Sequence, residues 1–149
     1  MHISDRGLVL IERFEGFKAD AYPDPGTGGN PWTIGIGTTR YPDGHRVRPG
    51  DHVTHAQAKE YLLHDLAWVE ECINHCVHVQ LSQNQYDSLC SFIYNMGCRA
   101  FEKSTLLRRL NAGKYEEAAE EFPKWVHAGG HVLRGLVTRR LEEHDIFLS

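Results

Sequence analysis

The chain has 149 residues, a length that suits one domain and allows a sizeable core to be buried. Its apolar fraction of 41% and charged fraction of 24% are ordinary for a globular protein, and its formal charge of −4 argues against binding to nucleic acid. The first residues contain no apolar run long enough for a signal peptide or a membrane anchor, so we expect the protein to stay in a cytoplasm unless another agent releases it.

A first helix is predicted from the apolar residues that recur at helical spacing between Leu8 and Phe14. Ser4 can cap this helix, and Gly16 is a suitable residue to end it. Glu15 then falls in the last turn, where the helix dipole disfavours a negative charge. A negative charge is harder to maintain there, which favours a group that holds a proton, and the sequence that follows distinguishes Glu15 from a solvated surface glutamate.

Residues 18–50 are rich in glycine and proline and contain only short β-prone pieces. The Gly28-Gly29 and Asp43-Gly44 steps are typical of hairpins or loops. We predict a small, twisted antiparallel sheet here, which is too small to be stable alone and must pack on helices. The fold class that this pattern predicts is α+β.

The rest of the chain is predicted to be helical. A T-x-x-Q capping box at Thr54 opens a helix of about 24 residues, long enough to bridge the sheet lobe to the remainder. An S-x-x-Q box at Ser82 opens another helix, which ends at Gly97. Three more helices are predicted: Ser104 to Asn111, Tyr115 to Val126, and one that starts at about Leu133.

Two carboxylates with unlike surroundings follow each other closely in this arrangement. Glu15 ends a helix, whereas Asp24 lies in a Pro- and Gly-rich loop whose exposed backbone amides would keep it ionised. Hydrolysis of a glycosidic bond needs one carboxyl that donates a proton and a second that stays charged. Thr33, at the start of the β-type run TIGIG, adds a hydroxyl group that could converge on the same cleft.

The same residues carry a resemblance to a known family. The pattern E-G-x5-Y-x-D, followed by T-I-G-x-G, resembles the phage-type lysozymes (endolysins), and it is formed here by Glu15, Gly16, Tyr22, Asp24 and the run from Thr33. Five later segments also look like this family: LSQNQYDSL at 81–89, FIYNMG at 92–97, STLLRRLNAG at 104–113, FPKWVHAGG at 122–130 and GLVTRRLEE at 135–143. The resemblance therefore extends over essentially the whole chain.

The resemblance implies cleavage of the β-1,4 bond between N-acetylmuramic acid and N-acetylglucosamine in bacterial peptidoglycan, without a cofactor or a metal. Glu15 would be the general acid, Asp24 would assist the attacking water and stabilise positive charge on the sugar, and Thr33 would hold that water. Inversion at the sugar carbon is the implied outcome, which requires room for a water molecule between the carboxyls. Substrate binding is implied for four residues: Thr39, Tyr94, Ser104 and Glu121.

The resemblance also implies a lysozyme-like fold in a single domain, 1–149, with a cleft between a small antiparallel β lobe and a larger helical lobe. The β lobe would comprise about residues 16–53, the connecting helix 54–80, and the helical lobe 81–149 together with 1–15. The protein would be a monomer that waits in the host cytoplasm until a holin permeabilises the inner membrane. It would then reach the periplasm or cell wall.

One position departs from the pattern of the family. Thr38 stands directly after G-x-G, where many relatives have histidine. Any packing or charge pairing that the histidine supplies must be met differently in this chain, which concerns stability more than chemistry.

Three alternatives to hydrolysis of the glycan remain open at this point. A lytic transglycosylase and a non-catalytic peptidoglycan-binding module share the fold, although a decoy would have no need of all three catalytic residue types. A zinc-dependent amidase or peptidase is the third, because Cys72, His75, Cys76 and His78 crowd one helix end. No second pair of ligands with zinc-site spacing accompanies them, and four cysteines in a chain of this length are no disulfide framework.

Overall fold

A computed structural model describes all residues, 1–149, and the chain divides into two units. The sheet unit comprises Ile11–Ala67, and the helical unit comprises Met1–Leu10 together with Trp68–Ser149. Two helices belong to both units: α1 (Asp5–Glu15) and α2 (His55–Cys76). The predicted α+β class, with a small antiparallel sheet, a larger helical part and a long connecting helix, is confirmed. None of the helices combines the length and the apolar composition that crossing a membrane requires.

The sheet unit contains one pair of antiparallel strands, β1 (Lys18–Tyr22) and β2 (Thr33–Gly35), with Tyr22 opposite Thr33. Residues 51–53 hydrogen-bond to the other edge of β1. So small a sheet needs an apolar face to cover it, and part of α2 supplies that face. The buried apolar side chains of this unit are Ile11, Ile34, Ile36, Val47, Val53, Ala58, Leu62 and Leu66.

The helical unit is built from the end of α2 and a series of shorter elements. In chain order these are α3 (Gln83–Met96), α4 (Cys98–Glu102), α5 (Thr105–Asn111), α6 (Tyr115–Ala119), a 3₁₀ helix (Phe122–Lys124), β3 (His127–Ala128), β4 (His131–Val132) and α7 (Arg134–Leu148). Phe92 lies in the core, with its ring edge-to-face to Phe122 at 5.5 Å and to Trp125 at 5.6 Å. Aromatic pairs in this geometry add stability beyond the apolar area they bury.

The predicted capping boxes are confirmed. The Gln57 amide donates to the Thr54 hydroxyl at 3.1 Å while the Gln57 side chain accepts from the Thr54 amide at 2.9 Å. Ser82 and Gln85 form the same reciprocal pair at the start of α3. These bonds satisfy backbone donors that would otherwise lack partners, which explains why both helices begin at these places.

The predicted helix from Tyr115 to Val126 is wrong in its length. Regular helix ends at Ala119, and the chain continues as a 3₁₀ turn that contains Pro123, because proline has no amide hydrogen to continue an α-helical ladder. Gly129 and Gly130, predicted only to end that helix, form the turn of the β3–β4 hairpin with φ values of 59° and 80°. Positive φ at both central residues is what a two-residue hairpin turn requires.

A buried group of charges connects α3 with α7. Arg140 is fully buried and donates to Glu143, to Asn95 and to the Trp125 carbonyl. Arg139 contacts the same Glu143 carboxylate at 3.3 Å. Because Glu143 is itself fully buried, the two guanidinium groups compensate for the loss of water around it.

Candidate active site

Glu15 is the last residue of α1, and the chain turns directly after it into β1. The turn is made at Gly16, whose φ of 75° lies in the left-handed region that favours glycine and whose amide donates to the Glu12 carbonyl at 2.7 Å. The helix end predicted from the sequence is thereby confirmed. The Glu15 side chain is half-buried, so its carboxyl group is placed at a boundary between protein and solvent.

Tyr22, the last residue of β1, connects two of the predicted site residues. It lies opposite Thr33 in the strand pairing, and the Thr33 side chain is a hydrogen-bonding neighbour of the Tyr22 hydroxyl group. Burial raises the pKa of Tyr22 above its usual value, and the negative charge of Glu15 raises it further, whereas the bond to Thr33 opposes the shift. Glu15 and Thr33 therefore both act on the Tyr22 hydroxyl group.

Sequence reasoning did not assign Tyr22 to the site. Its place in the Y-x-D pattern was visible, but a tyrosine in a short strand is ordinarily an apolar packing residue with a polar tip. Only the pairing of β1 with β2 shows that the Tyr22 hydroxyl meets Thr33.

Asp24 lies in the turn between β1 and β2 and organises that turn through its own carboxylate. Its Oδ2 accepts from the amides of Gly26 at 3.2 Å and Thr27 at 3.1 Å. Its carbonyl accepts from the Gly28 amide at 2.8 Å, which closes the turn. The amides predicted to surround Asp24 are thus present, and both bonds go to one oxygen, which leaves Oδ1 for other partners.

Thr39 belongs to the sheet unit as well. Its side chain is exposed and borders a surface recess of about 340 Å³. Trp32 and Asn30 line the same recess, so it has an aromatic and an amide residue in its lining besides Thr39. An apolar face with a few polar groups around it suits the binding of a sugar.

Tyr94 lies on α3 in the helical unit, where it stacks on Trp68. The ring centroids are 6.4 Å apart and the planes differ by 23°. Trp68 is 41% exposed and Tyr94 is half-buried, so the pair presents aromatic surface to solvent. Such surface is compatible with the predicted contact to substrate.

The polar side-chain groups of Ser104 and Glu121 have bonding partners within the helical unit. Ser104 is buried; its hydroxyl accepts from the Leu107 amide at 3.0 Å as the N-cap of α5 and donates to the Phe101 carbonyl at 2.7 Å. Glu121 is also buried, and its carboxylate lies 2.6 Å from the Lys124 ammonium group. The prediction that these two residues bind substrate stays a prediction.

Thr38, the departure from the family pattern, is fully buried and donates its hydroxyl hydrogen to Asp65 Oδ2 at 2.9 Å. A hydrogen bond from a neutral hydroxyl group to a carboxylate thus occupies this position. Burial raises the pKa of Asp65, an effect that the bond from Thr38 and the charge of His64 only partly offset.

The cysteines and histidines of the zinc alternative do not come together in one site. His78 turns back to the His75 carbonyl at 3.2 Å, and both histidines are exposed. Cys72 instead forms a disulfide with Cys98, and Cys76 lies beside it. The site hypothesis missed Cys98 because it is 22 residues further along the chain than Cys76.

Comparisons with known proteins agree on one family. A family model described as phage lysozyme matches residues 12–143. An endolysin of Acyrthosiphon pisum secondary endosymbiont phage 1 is 42% identical over 100% of this chain and 99% of its own length. Among solved structures, a mutant P22 lysozyme has a TM-score of 0.90 at 43% identity, covering 100% of this chain and 99% of its own. The muramidase domain of SpmX from Asticaccaulis excentricus has a TM-score of 0.88 at 38% identity, covering 99% and 98%.

Proposed function

Because the chain belongs to the phage lysozyme family, we propose that it is an endolysin that hydrolyses the β-1,4 bond between N-acetylmuramic acid and N-acetylglucosamine in peptidoglycan. One observation supports the assignment of residues: Glu15 ends the helix that leads into β1, and the pairing of β1 with β2 sets Tyr22 opposite Thr33. Asp24 follows Tyr22 by two residues, and both loop amides donate to its Oδ2, so Oδ1 is available for the reaction. An acid, a second carboxylate and a hydroxyl are the groups that such a hydrolysis uses.

Glu15 is the general acid in this proposal. Its proton passes to the glycosidic oxygen as the bond to the sugar carbon breaks, so that the leaving sugar departs as a neutral alcohol. The carboxyl group is half-buried at a helix end, where the dipole opposes its negative charge.

Asp24 and Thr33 activate and position the attacking water. The Asp24 carboxylate stabilises positive charge that develops on the sugar carbon and takes a proton from the water, while the Thr33 hydroxyl orients that water. The two loop amides fix Oδ2 of Asp24, and the Tyr22 hydroxyl fixes the side chain of Thr33. Attack from the face opposite the leaving group inverts the configuration at the sugar carbon.

Substrate contacts are proposed here for Thr39 and Tyr94. Thr39 would donate or accept a hydrogen bond from the recess that Trp32 and Asn30 also line. Tyr94 would offer the aromatic surface that it shares with Trp68. Aromatic faces bind the apolar side of sugar rings, and nearby polar groups select the orientation.

The proposal includes a route to the substrate. The protein would act as a monomer that is retained in the host cytoplasm and passes to the periplasm or cell wall after a holin opens the inner membrane. Lysis by the protein expressed with and without a holin, in otherwise identical cells, tests this route; lysis at the same time in both would contradict it.

Mass analysis of the products tests the reaction. Purified sacculi digested by the protein should release muropeptides with reducing N-acetylmuramic acid ends, one water heavier than the anhydro form. Anhydro ends would instead indicate a transglycosylase, free peptides an amidase or peptidase, and sedimentation with sacculi without any release a binding module.

Variants of two glutamates on the same helix test the residue assignment. Glu15→Gln should lower the rate by about 10²–10⁴-fold, the usual contribution of a general acid, without changing the melting temperature. Glu12→Gln is the matched control, because Glu12 is paired with His55 and has no role in the proposed reaction. A Glu15→Gln protein that keeps more than about a tenth of the activity would overturn the assignment.

A further inference from the structure

Four side chains that the proposed reaction does not use meet where α2 lies beside α4. Cys72 and Cys76 are one helical turn apart on α2, and Cys98 and Glu102 are one turn apart on α4. We call these four residues the α2–α4 cluster. Cys72 and Cys76 are buried, Cys98 is half-buried and Glu102 is exposed, so the cluster is closed on one side and open to solvent on the other.

The distances from Glu102 to the sulfur atoms match those of a tetrahedral metal site, and the sulfur atoms are close enough together to share one ion. The three sulfur atoms all lie within 4.8 Å of one another. Oε1 of Glu102 is 3.4 Å from the Cys98 sulfur and 3.8 Å from the Cys76 sulfur. Around zinc, with Zn–S bonds of about 2.3 Å and Zn–O bonds of about 2.0 Å, adjacent ligand atoms are separated by about 3.5–3.8 Å.

In the structure the cluster is oxidised, because a disulfide joins Cys72 to Cys98. Only the Cys76 thiol and the Glu102 carboxylate are then available as ligands, which is too few to hold zinc firmly. We propose that reduction of this disulfide converts the cluster into a zinc site with four protein ligands: Cys72, Cys76, Cys98 and Glu102.

The chemistry balances with a dithiol or phosphine as reductant. Two electrons and two protons pass to the disulfide and give two thiols. A dithiol reductant supplies both and becomes a disulfide, whereas a phosphine supplies the electrons, water supplies the protons, and the phosphine becomes a phosphine oxide. Zn²⁺ then displaces three thiol protons to solvent and binds three thiolates and one carboxylate. Thiolate ligands in a tetrahedral arrangement favour Zn²⁺ over harder ions such as Mg²⁺ or Ca²⁺.

Helices α2 and α4 would then be linked to each other in both redox states. Under oxidising conditions the disulfide joins the two helices, and under reducing conditions the metal does. Glu102 is the ligand of the cluster that is exposed to solvent.

Metal binding by the full-length protein tests the proposal. The oxidised protein and the phosphine-reduced protein are each titrated anaerobically with Zn²⁺ alone against a chromophoric chelator. We expect one equivalent of Zn²⁺ to bind the reduced protein and none to bind the oxidised protein. Co²⁺ in place of Zn²⁺ should give the sulfur-to-metal charge-transfer bands and intense visible bands of a tetrahedral thiolate site, in the reduced protein only.

Two single-cysteine variants locate the site. Cys76→Ser should weaken Zn²⁺ binding by more than about a hundredfold, since even the loss of groups around metal ligands costs about 10–100-fold. Cys90→Ser is the matched control, because Cys90 is also a buried free cysteine but lies outside the cluster. The control retains every histidine, so binding to surface histidines would appear in both variants alike.

Glu102→Ala provides a test that does not alter the buried part of the fold. It removes an exposed side chain, and it should weaken Zn²⁺ binding by about tenfold and shift the visible bands of the Co²⁺ form. The proposal is overturned if the reduced protein binds no Zn²⁺, if oxidation does not abolish binding, or if Cys76→Ser, folded by circular dichroism, binds as tightly as Cys90→Ser. Should Cys76→Ser fail to fold, unchanged Zn²⁺ affinity in Glu102→Ala overturns it.

Discussion

Two carboxylates, one in each unit, have direct partners of different charge. In the helical unit Glu143 is fully buried and lies against two guanidinium groups, those of Arg139 and Arg140. In the sheet unit Asp65 is half-buried and its hydrogen-bond partner is a neutral hydroxyl group, that of Thr38. Glu143 thus lies against opposite charges, whereas Asp65 has a neutral side chain as its hydrogen-bond partner.

Removal of Glu143 should have the largest effect on stability. Glu143→Ala leaves two guanidinium groups in the core without their carboxylate, and the loss of one partner of a buried ion pair costs about 3–5 kcal/mol of unfolding free energy. Denaturant unfolding followed by circular dichroism measures this loss.

Asp145→Ala on the same helix is the control, because the Asp145 side chain is exposed. It should change the unfolding free energy by less than about 0.5 kcal/mol. Equal losses of unfolding free energy in the two variants would mean that the buried ion pairs of Glu143 do not stabilise the helical unit.

Gly35→Ala should have the next largest effect, this time in the sheet unit. Gly35 has a φ of 65°, and an added Cβ would lie 3.0 Å from the Cβ of Ala58 on α2. Left-handed backbone and close contact together should cost about 2 kcal/mol of unfolding free energy. The midpoint of urea unfolding measures it.

Gly44→Ala separates the two causes. Gly44 has a φ of 91°, but nothing lies within 4 Å of an added Cβ, so only the backbone cost of about 1 kcal/mol should remain. A Gly35→Ala variant no less stable than Gly44→Ala would show that the contact between sheet and helix is not tight.

The sequence was sufficient for features that depend on local chemistry. The capping boxes at Thr54 and Ser82, the end of α1 at Gly16 and the breaks at Gly97 and Gly113 each follow from one or two side chains and their neighbours along the chain. Pro123 contained the same kind of local signal, but the apolar spacing around it predicted a longer helix than the chain forms.

Features that depend on distant pairing were not predictable. The link between Tyr22 and Thr33 requires the register of β1 and β2, which alternation in such short strands does not specify. The meeting of Cys76 with Cys98 requires the packing of α4 on α2. In both cases the residue types were visible, and what was lacking was their distance in space.

Tyr22→Phe should lower activity by about tenfold without destabilising the protein. The change removes the hydroxyl beside Thr33 and leaves the half-buried ring in place, so the water that Thr33 orients is held less well. We expect kcat to fall with KM nearly unchanged, as measured by release of reducing ends from sacculi at several concentrations.

Tyr41→Phe is the matched control in the same unit. The Tyr41 hydroxyl donates to Asp51 at 2.7 Å, away from the proposed reaction, so its loss should cost about 1 kcal/mol of stability and leave kcat unchanged. A role for Tyr22 in positioning Thr33 is ruled out if both variants lower stability and spare kcat.

Asp65→Asn should have the smallest effect, and the effect should depend on pH. Burial raises the pKa of Asp65 in the folded protein, so between the unfolded and folded pKa values the folded state binds more protons than the unfolded state. Stability therefore falls as pH rises from the ordinary pKa of an aspartate through the raised pKa of Asp65.

Asparagine is neutral and keeps a carbonyl oxygen that can accept from Thr38, so Asp65→Asn should be more stable than the parent at pH 7. Because water screens part of the charge, the gain should be about 0.5 kcal/mol or less, and it should disappear near pH 3, where the aspartate is itself neutral. Thermal unfolding at the two pH values measures the difference. A loss of stability in Asp65→Asn at pH 7 would mean that Thr38 compensates the Asp65 carboxylate as effectively as the guanidinium groups compensate Glu143. The contrast between these two carboxylates would then not hold.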